Sequence, residues 1–162
     1  MNFTMLLIYM TTTNNKKIKN ATPLIYDGIE FRSKLEVYCY RKLKESGLNF
    51  KYEDVTYNLI PSFKYGGNLY EPYKKGSQWF FENRDNKIRG MTYTPDFVGK
   101  DWIIECKGRA NDAFPLRWKL FKYLLTQLNL NYDLYLPKNQ SHIDECIRLI
   151  NDKQNAGRKE LL

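Results

Sequence analysis

Hydrophobic and polar positions along the chain follow the helical period in some segments and the strand period in others. An amphipathic pattern over residues 26–46 predicts a first helix, for which Gly47 is a typical C-terminal stop. Apolar residues recurring over 51–60 predict a strand. The runs 91–98 and 102–107 are rich in residues that favour strands, and hairpin punctuation separates them. We therefore expect a helix, a strand and a hairpin, in that order.

The second half of the chain predicts a helix, a strand and a final helix. Residues 111–128 form a helical pattern that Asp112 caps, and Pro115 fits its first turn. The residues of this helix expected to pack on the sheet are Leu116, Leu120, Tyr123, Leu124 and Leu128. A strand over 132–136 precedes a helix over about 141–153, whose buried side is marked by Ile143, Ile147 and Ile150. The pattern predicts an α/β fold of order α-β-β-β-α-β-α, a mixed sheet flanked by helices.

The domain organisation follows from length and local composition. At 162 residues the chain has room for one domain with a substantial core. We expect this domain at 23–155, between a flexible basic arm at 1–22 and a short tail at 156–162. Residues 62–90 form an insertion, and a connection of this length is usually functional or mobile. We expect a hairpin carrying the aromatic run 79–81, which either reaches over a ligand or packs on the insertion itself.

The hairpin after the insertion carries the candidate chemistry. If residues 100–101 form a two-residue turn, Asp96 lies directly opposite Glu105, with Cβ atoms about 5 Å apart. Strand alternation then places Lys107 on the same face as Glu105, and Cys106 on the opposite, apolar face. Two carboxylates and a lysine gathered in this way are the minimum needed to hold a divalent metal and prepare a water for attack on a phosphodiester.

A solvated sheet edge is the alternative interpretation of these charged residues. Three details favour a functional site. The strand 102–106 reads as buried on both faces, where a carboxylate is costly unless it is paired or bound to metal. Pro95 immediately precedes Asp96 and introduces a strand irregularity, and Gly108 follows Lys107 and lets backbone approach a ligand closely.

Pro95-Asp96 followed by Glu105-x-Lys107 resembles the motif of the PD-(D/E)XK nuclease superfamily. The resemblance implies a restriction-endonuclease-like core and metal-dependent hydrolysis of DNA, with Mg²⁺ as the cofactor and Mn²⁺ as an alternative. It implies that Asp96 and Glu105 bind the metal, with the backbone carbonyl of Cys106 as a further ligand. Lys107 would orient or help deprotonate the attacking water. The resemblance is tightest over this motif and absent from the insertion.

Two further sites are implied by the same resemblance. In endonuclease-I-like phage resolvases and transposase-associated endonucleases, a glutamate on the first helix completes the metal site, and Glu36 matches that position. Ser33-x-x-Glu36 is equally a capping box, in which Glu36 would only bond the backbone at the helix start. In related nucleases a basic residue on the second helix approaches the scissile phosphate. Arg117, Lys119 and Lys122 are therefore candidates for DNA binding, or else a solvated helix face.

Composition narrows the possible partners. The formal net charge of +8 suits a polyanionic partner such as DNA, and basicity alone would also fit a ribosomal or membrane-surface protein. Three scattered cysteines without C-x-x-C spacing predict neither a zinc site nor a disulfide framework, and they fit a reducing cytoplasm. No phosphate-binding loop motif appears, so we expect no nucleotide cofactor. The apolar run at 5–10 is too short to span a bilayer, so we expect no membrane association and a cytoplasmic location, in a bacterial host if the protein is phage-encoded.

The sequence thus predicts a Mg²⁺-dependent endonuclease. The small size and the resemblance to phage enzymes favour selectivity for branched DNA, with Holliday-junction resolution by a homodimer as the leading hypothesis. Paired nicks across a junction need two active sites, and this chain carries one. The alternatives are a restriction- or transposase-type endonuclease subunit, a repair exonuclease, and a non-catalytic DNA-binding module of the same fold.

Overall fold

A computed structural model describes residues 24–108 and 111–159 of the chain. These residues form a mixed α/β structure. The helices of the described part are α1 (Lys34–Glu45), α2 (Phe114–Gln127) and α3 (Gln140–Lys159). Its strands are β1 (Leu24–Tyr26), β2 (Ile29–Phe31), β3 (Lys51–Tyr52), β4 (Tyr57–Ile60), β5 (Phe63–Lys64), β6 (Tyr70–Lys75), β7 (Gln78–Asn83), β8 (Lys87–Ile88), β9 (Met91–Tyr93), β10 (Phe97–Val98), β11 (Trp102–Ile104) and β12 (Asp133–Tyr135).

The central sheet has the strand order β12-β11-β10-β3. β11 pairs in parallel with β12, while β10 pairs antiparallel with both β11 and β3, so the sheet is mixed. One apolar cluster joins the sheet to α1 and α3, and its members include Cys39, Leu43, Trp102, Ile104, Ile143 and Ile150. A second cluster joins the sheet to α2, and its members include Tyr57, Tyr93, Ile103, Phe121 and Leu125. Helices therefore cover both faces of the sheet, as the sequence predicts.

The first helix begins later than its pattern suggests. Helix α1 starts after Ser33, whose hydroxyl accepts a hydrogen bond from the helix, and it ends before Gly47, which has a φ of 69°. The prediction of a helix from residue 26 was wrong, because β1 and β2 form a hairpin there. Asp27 and Gly28 both adopt positive φ at its turn, which matches the twist of a tight hairpin.

Two of the predicted strands are each divided in two. The segment 51–60 contains β3, which pairs with β10, and β4, which pairs with β9. The segment 91–98 divides in the same way into β9 and β10, with the irregularity at Pro95 between them. The backbone turns at Glu53, which has a φ of 45° and donates its N–H to the Asp96 carbonyl at 2.9 Å. The predicted element order therefore had too few strands, because the apolar run at 51–60 contributes one strand to each of two sheets.

The start of α2 differs from the prediction in its cap. Asp112 does not cap the helix; Ala113 occupies that position and makes no side-chain hydrogen bond. The Asn111 side chain instead accepts a hydrogen bond of 2.9 Å from the Phe114 N–H. Pro115 lies in the first turn, as predicted. Asn111 thus accepts the hydrogen bond of a free backbone amide at the helix start, a role that the sequence pattern had predicted for Asp112.

The buried stripe of α2 was also assigned wrongly. Leu116 and Tyr123, predicted to pack on the sheet, are exposed, and the other three predicted positions are half-buried. The buried residues of the helix are Phe114, Phe121 and Leu125. These positions also recur at helical spacing, and turning the aromatic rings inward buries more apolar area than turning leucines inward. In α3, by contrast, Ile143, Ile147 and Ile150 are buried as predicted.

The insertion at residues 62–90 is a nested hairpin, as predicted. It extends from the β4–β9 pair through the β5–β8 pair to a terminal β6–β7 pair. The chain ends differ from expectation in extent. Helix α3 continues to Lys159, beyond the predicted end near 153, and the predicted basic arm at 1–22 lies outside the described residues. Among the helices of the described part, none is both long and apolar enough to cross a membrane.

Candidate active site

The register of the β10–β11 hairpin sets the spacing of the two carboxylates. Phe97 pairs with Ile104, and the Gly99 N–H donates a 2.9 Å hydrogen bond to the Trp102 carbonyl. Continuing this register by one residue from the first pair places Asp96 opposite Glu105. The predicted register of the hairpin, which depends on a two-residue turn after Gly99, is confirmed.

Strand alternation separates the core-facing side chains from the functional ones. Trp102, Ile104 and Cys106 lie in the cluster below α1 and α3, as expected for one face of the strand. The extended backbone continues past the end of β11, because the Glu105 amide donates to the carbonyl of Tyr135, the last residue of β12, at 2.9 Å, and the Lys107 amide donates to the carbonyl of Pro137 at 3.0 Å. Glu105 and Lys107 therefore point together to the other face, toward the start of α2.

Asp96 is the most constrained of the carboxylates. Only 4% of its surface is exposed. Its Oδ2 accepts a 2.7 Å hydrogen bond from the Cys106 N–H, and its Oδ1 lies 3.5 Å from Nη2 of Arg32. Burial raises the pKa of Asp96 well above its ordinary value, and the negative charges of Glu105 and Glu36 raise it further. Arg32 and the Cys106 amide oppose that shift but do not cancel it.

Glu105 is equally buried and less well satisfied. Its Oε1 lies 3.6 Å from Nζ of Lys107. Its Oε2 is buried and, among the described residues, makes no hydrogen bond. The neighbouring Tyr93 hydroxyl lowers the pKa of Glu105. This hydroxyl is also buried, and its position does not satisfy hydrogen-bond geometry with any described residue. Burial is the dominant influence, and the pKa of Glu105 is raised overall.

Glu36 combines a capping role with a place in the site. Its Oε2 accepts hydrogen bonds from the Arg32 N–H at 3.0 Å and from the Tyr52 hydroxyl at 2.7 Å. Its Oε1 accepts one of 2.7 Å from the Ser33 hydroxyl, which in turn accepts the Glu36 N–H. The capping interpretation is thus confirmed in a variant form. The charge of Glu36 nonetheless acts on Asp96, and its side chain is buried beside the same pocket.

One open pocket collects most of the residues predicted from sequence. Its lining includes Glu36, Asp96, Glu105, Cys106, Lys107 and Arg117. The Cys106 thiol is packed in the core, and the Cys106 backbone N–H is the group that contacts Asp96. Lys119 and Lys122, the other two DNA-binding candidates, do not line this pocket and are exposed elsewhere on α2.

Three side chains of the site were not anticipated. Arg32 forms ion pairs with Asp96 and with Glu53. The Tyr52 hydroxyl donates a hydrogen bond to Glu36, and Tyr93 lines the pocket with Glu105 and lowers its pKa. The only sequence signal for Arg32 is its place just before a capping serine. The two tyrosines are at ordinary strand positions, so no local pattern distinguishes them from core residues.

The chemistry of the donors fits a hard divalent cation. Asp96 and Glu105 provide carboxylate oxygens, including Oε2 of Glu105, which makes no hydrogen bond with the part of the chain that the structure describes, and such oxygens are what Mg²⁺ and Mn²⁺ prefer. In the described part of the chain, no three acidic, histidine or cysteine side chains are grouped closely enough to form a complete ligand set. A pair of carboxylates suffices for Mg²⁺, which keeps several waters and takes substrate phosphates as ligands.

Comparison with known proteins gives a family. A family model described as "Protein of unknown function (DUF1064)" matches residues 15–141, most of the chain and every residue of the pocket. Searches of curated proteins and of solved structures gave no match. The chain belongs to the DUF1064 family.

Proposed function

We propose that this protein is a metal-dependent endonuclease that hydrolyses DNA phosphodiester bonds, and that its mixed sheet with flanking helices is a restriction-endonuclease-like core. The observation that carries the proposal is the buried pair Asp96 and Glu105, opposed across a hairpin and facing one pocket with Lys107. Burying two carboxylates together is costly, as their raised pKa values show. A divalent cation would offset that cost.

Asp96, Glu105 and the Cys106 carbonyl would hold Mg²⁺ or Mn²⁺. When bound, such an ion would supply positive charge to stabilise the developing charge on the scissile phosphate and to favour ionisation of the attacking water. The Cys106 amide fixes one Asp96 oxygen at 2.7 Å, which leaves the orientation of this carboxylate set before any ion binds. Such preorganisation avoids a reorganisation cost during the reaction.

In the proposal, Lys107 acts on the water and on the phosphate. Its ammonium lies 3.6 Å from Glu105 and 4.8 Å from the centre of the Phe114 ring at the start of α2. The aromatic ring and the carboxylate together limit where the side chain points. In the proposed mechanism Lys107 orients the attacking water and offsets negative charge on the transition state.

Glu36 and Arg117 complete the proposed site. Glu36 is held by Tyr52 and by the helix start, so it would act on the ion through a water or provide a second metal position. Arg117 is exposed at the pocket, at the end of the first turn of α2, where a guanidinium would contact a DNA phosphate. Because Mg²⁺ is usually bound by only one or two carboxylates, Asp96 and Glu105 can hold the ion while Glu36 and Arg117 act around it.

The proposed substrate is DNA, with branched DNA as the preferred form. The formal charge of +8 supports a polyanionic substrate. We propose a homodimer, since resolution of a four-way junction requires two nicks and each chain carries one site. Phage DNA recombination or processing, in the cytoplasm of the host cell, is the setting that the motif resemblance suggests.

Cleavage of a labelled four-way junction and a matched linear duplex tests the proposal. The reactions compare Mg²⁺ with EDTA, and wild type with Asp96→Asn. Asp152→Asn, an exposed carboxylate on α3, is the matched control. Symmetric junction cuts that disappear with EDTA and with Asp96→Asn, but persist in Asp152→Asn, are the expected result.

Other outcomes distinguish the alternatives. Equal cutting of the junction and the duplex would keep the nuclease and remove the junction preference, as for a restriction- or transposase-type subunit. DNA binding without cleavage in either Mg²⁺ or Mn²⁺ would contradict the enzyme and indicate a non-catalytic DNA-binding module.

A further inference from the structure

The terminal hairpin of the insertion has two chemically different faces. In the β6–β7 register, Tyr73 is opposite Phe80, and Lys74 is opposite Trp79. Directly opposed residues share a face, and faces alternate along each strand. One face therefore carries Tyr70, Trp79 and Phe81, and we call it the aromatic face.

The opposite face is packed and carries the acidic residues. Tyr73 and Phe80 stack there with ring centres 5.5 Å apart, and the Tyr73 hydroxyl donates to Glu82. The Arg84 guanidinium lies 4.4 Å from the Tyr73 ring centre. Glu71 pairs with Glu82 in the register, so both carboxylates of the two strands are on this face. Its aromatic groups are thus already partnered.

The aromatic face is left open. Trp79 and Phe81 are each 70% exposed, and Tyr70 is 56% exposed. The β6 and β7 strands pack mainly on each other, so no part of the described core covers these rings. Exposed apolar groups concentrated in one place are typical of an interaction surface. Among the residues of β6 and β7, the charge on this face comes from Lys74, and both carboxylates lie on the other face.

We infer that the aromatic face binds unpaired nucleobases of a single-stranded or branched DNA segment. Aromatic rings on alternate strand positions offer a stacking platform for successive bases, and Lys74 provides charge for the phosphate backbone. Bases within a duplex are stacked on neighbouring base pairs, so their faces are covered. Unpaired bases can turn their faces toward a protein ring. The insertion as a whole carries three more positive than negative side chains, with six Lys or Arg against three Asp or Glu. The inference rests on the proposed function for its choice of DNA, and it assigns recognition of the unpaired region to the hairpin.

Binding measured in EDTA tests the inference without cleavage. The probes are a fluorescein-labelled oligothymidylate and an abasic strand of the same length, which keeps the phosphates and removes the bases. We expect wild type to bind the oligothymidylate more tightly than the abasic strand. Trp79→Ala should weaken oligothymidylate binding by about 5- to 150-fold and leave abasic binding nearly unchanged. Trp79→Phe, which keeps an aromatic plane, should stay near wild type.

Matched variants assign the effect to one face. Phe81→Ala should repeat the loss seen in Trp79→Ala, whereas Gln78→Ala, on the packed face of the same strand, should not. Lys74→Ala should weaken binding of both strands more than Lys75→Ala, its neighbour on the other face. Equal losses in Trp79→Ala, Phe81→Ala and Gln78→Ala would overturn the inference, since they would reflect damage to the hairpin.

Two further results would overturn it. One is equal affinity of wild type for the base-carrying and abasic strands. The other is a change of sedimentation state in Trp79→Ala with unchanged DNA affinity, which would make the face a contact between copies of the chain. The proposed nuclease fails separately. If the protein binds bases through this face but does not cut DNA with metal, the proposed nuclease is contradicted and the inference stands. If wild type cuts DNA but Trp79→Ala binds the oligothymidylate as tightly as wild type does, the inference is contradicted and the nuclease stands.

Discussion

Asp96 Oδ2 accepts a 2.7 Å hydrogen bond from the backbone N–H of Cys106, across the β10–β11 hairpin. This bond ties an acidic side chain to the backbone of the strand that presents Glu105 and Lys107. The position of Asp96 is therefore set by sheet geometry rather than by a mobile loop. The same residue approaches Arg32 at 3.5 Å, so its two oxygens have different partners.

A divalent cation should stabilise the folded protein if Asp96 and Glu105 hold it. Ligand binding to the folded state alone raises the free energy of unfolding by about 2.7 kcal/mol at a concentration 100-fold above the dissociation constant. We expect Mg²⁺ or Mn²⁺ to raise the melting temperature of wild type in scanning calorimetry. Asp96→Asn and Glu105→Gln should lose this shift and Asp152→Asn should keep it. A shift that persists in the first two variants would place the ion elsewhere.

The stability of the metal-free protein should depend on the ionisation of Asp96. Burial and nearby carboxylates raise the folded-state pKa of Asp96 above its unfolded value. Between these two pKa values the folded chain holds a proton that the unfolded chain has released, so the free energy of unfolding falls as pH rises through this window. Asp96→Asn removes this ionisation and keeps an acceptor for the Cys106 amide.

Urea unfolding in EDTA at about pH 5 and about pH 8 measures that effect. We expect the stability of Asp96→Asn relative to wild type to increase from the lower to the higher pH. An unchanged difference between the two proteins would mean that Asp96 does not titrate in this range with a raised pKa.

Lys107 should contribute to the rate of cleavage more than to DNA binding. Removing one charge-stabilising group from a transition state typically lowers kcat by about 10²- to 10³-fold. We expect Lys107→Ala to show a loss of that size with little change in KM, measured on the preferred DNA. Lys119→Ala, outside the pocket, should retain kcat. A similar small loss in both variants would reduce Lys107 to a general electrostatic role.

Glu36 has two roles that substitution should separate. Ser33→Ala removes the capping hydroxyl and should cost about 1 kcal/mol of stability while folded molecules keep their activity. Glu36→Gln keeps an acceptor near the helix start but removes the charge, so it should lower cleavage far more than Ser33→Ala does. Denaturant unfolding and kcat of both variants provide the comparison. Full activity of Glu36→Gln would show that Glu36 only caps the helix and has no role in cleavage.

Gly99 should be intolerant of any side chain. A Cβ at this position would lie 2.1 Å from Cε2 of Trp102, which is buried in the core. Overpacking of a core typically costs about 1–3 kcal/mol, so we expect Gly99→Ala to lose at least that much free energy of unfolding. Gly66→Ala is the matched control, because a Cβ there meets nothing within 4 Å. Equal stability of the two variants in urea would show that Trp102 can move aside.

The local geometry of the proposed site could be predicted from the order of residues in the chain. The two-residue turn and the strand period were enough to place Asp96 opposite Glu105, to put Lys107 on the same face, and to send Cys106 into the core. The insertion hairpin and the buried side of α3 were predictable for the same reason. Each depends on residues close together in the chain, whose spacing alone fixes the direction of their side chains.

The groups that reach this hairpin from distant parts of the chain could not be predicted from local sequence, because long-range packing brings them there. Arg32 reaches Asp96 across 64 residues, and Tyr52 binds Glu36 from another element. The division of the 51–60 run between two sheets and the inward face of α2 were also decided at this level. Periodicity shows that a residue can be buried, but the packing of the whole core selects which residues are, because aromatic rings such as Phe121 bury more apolar area than the leucines that compete with them.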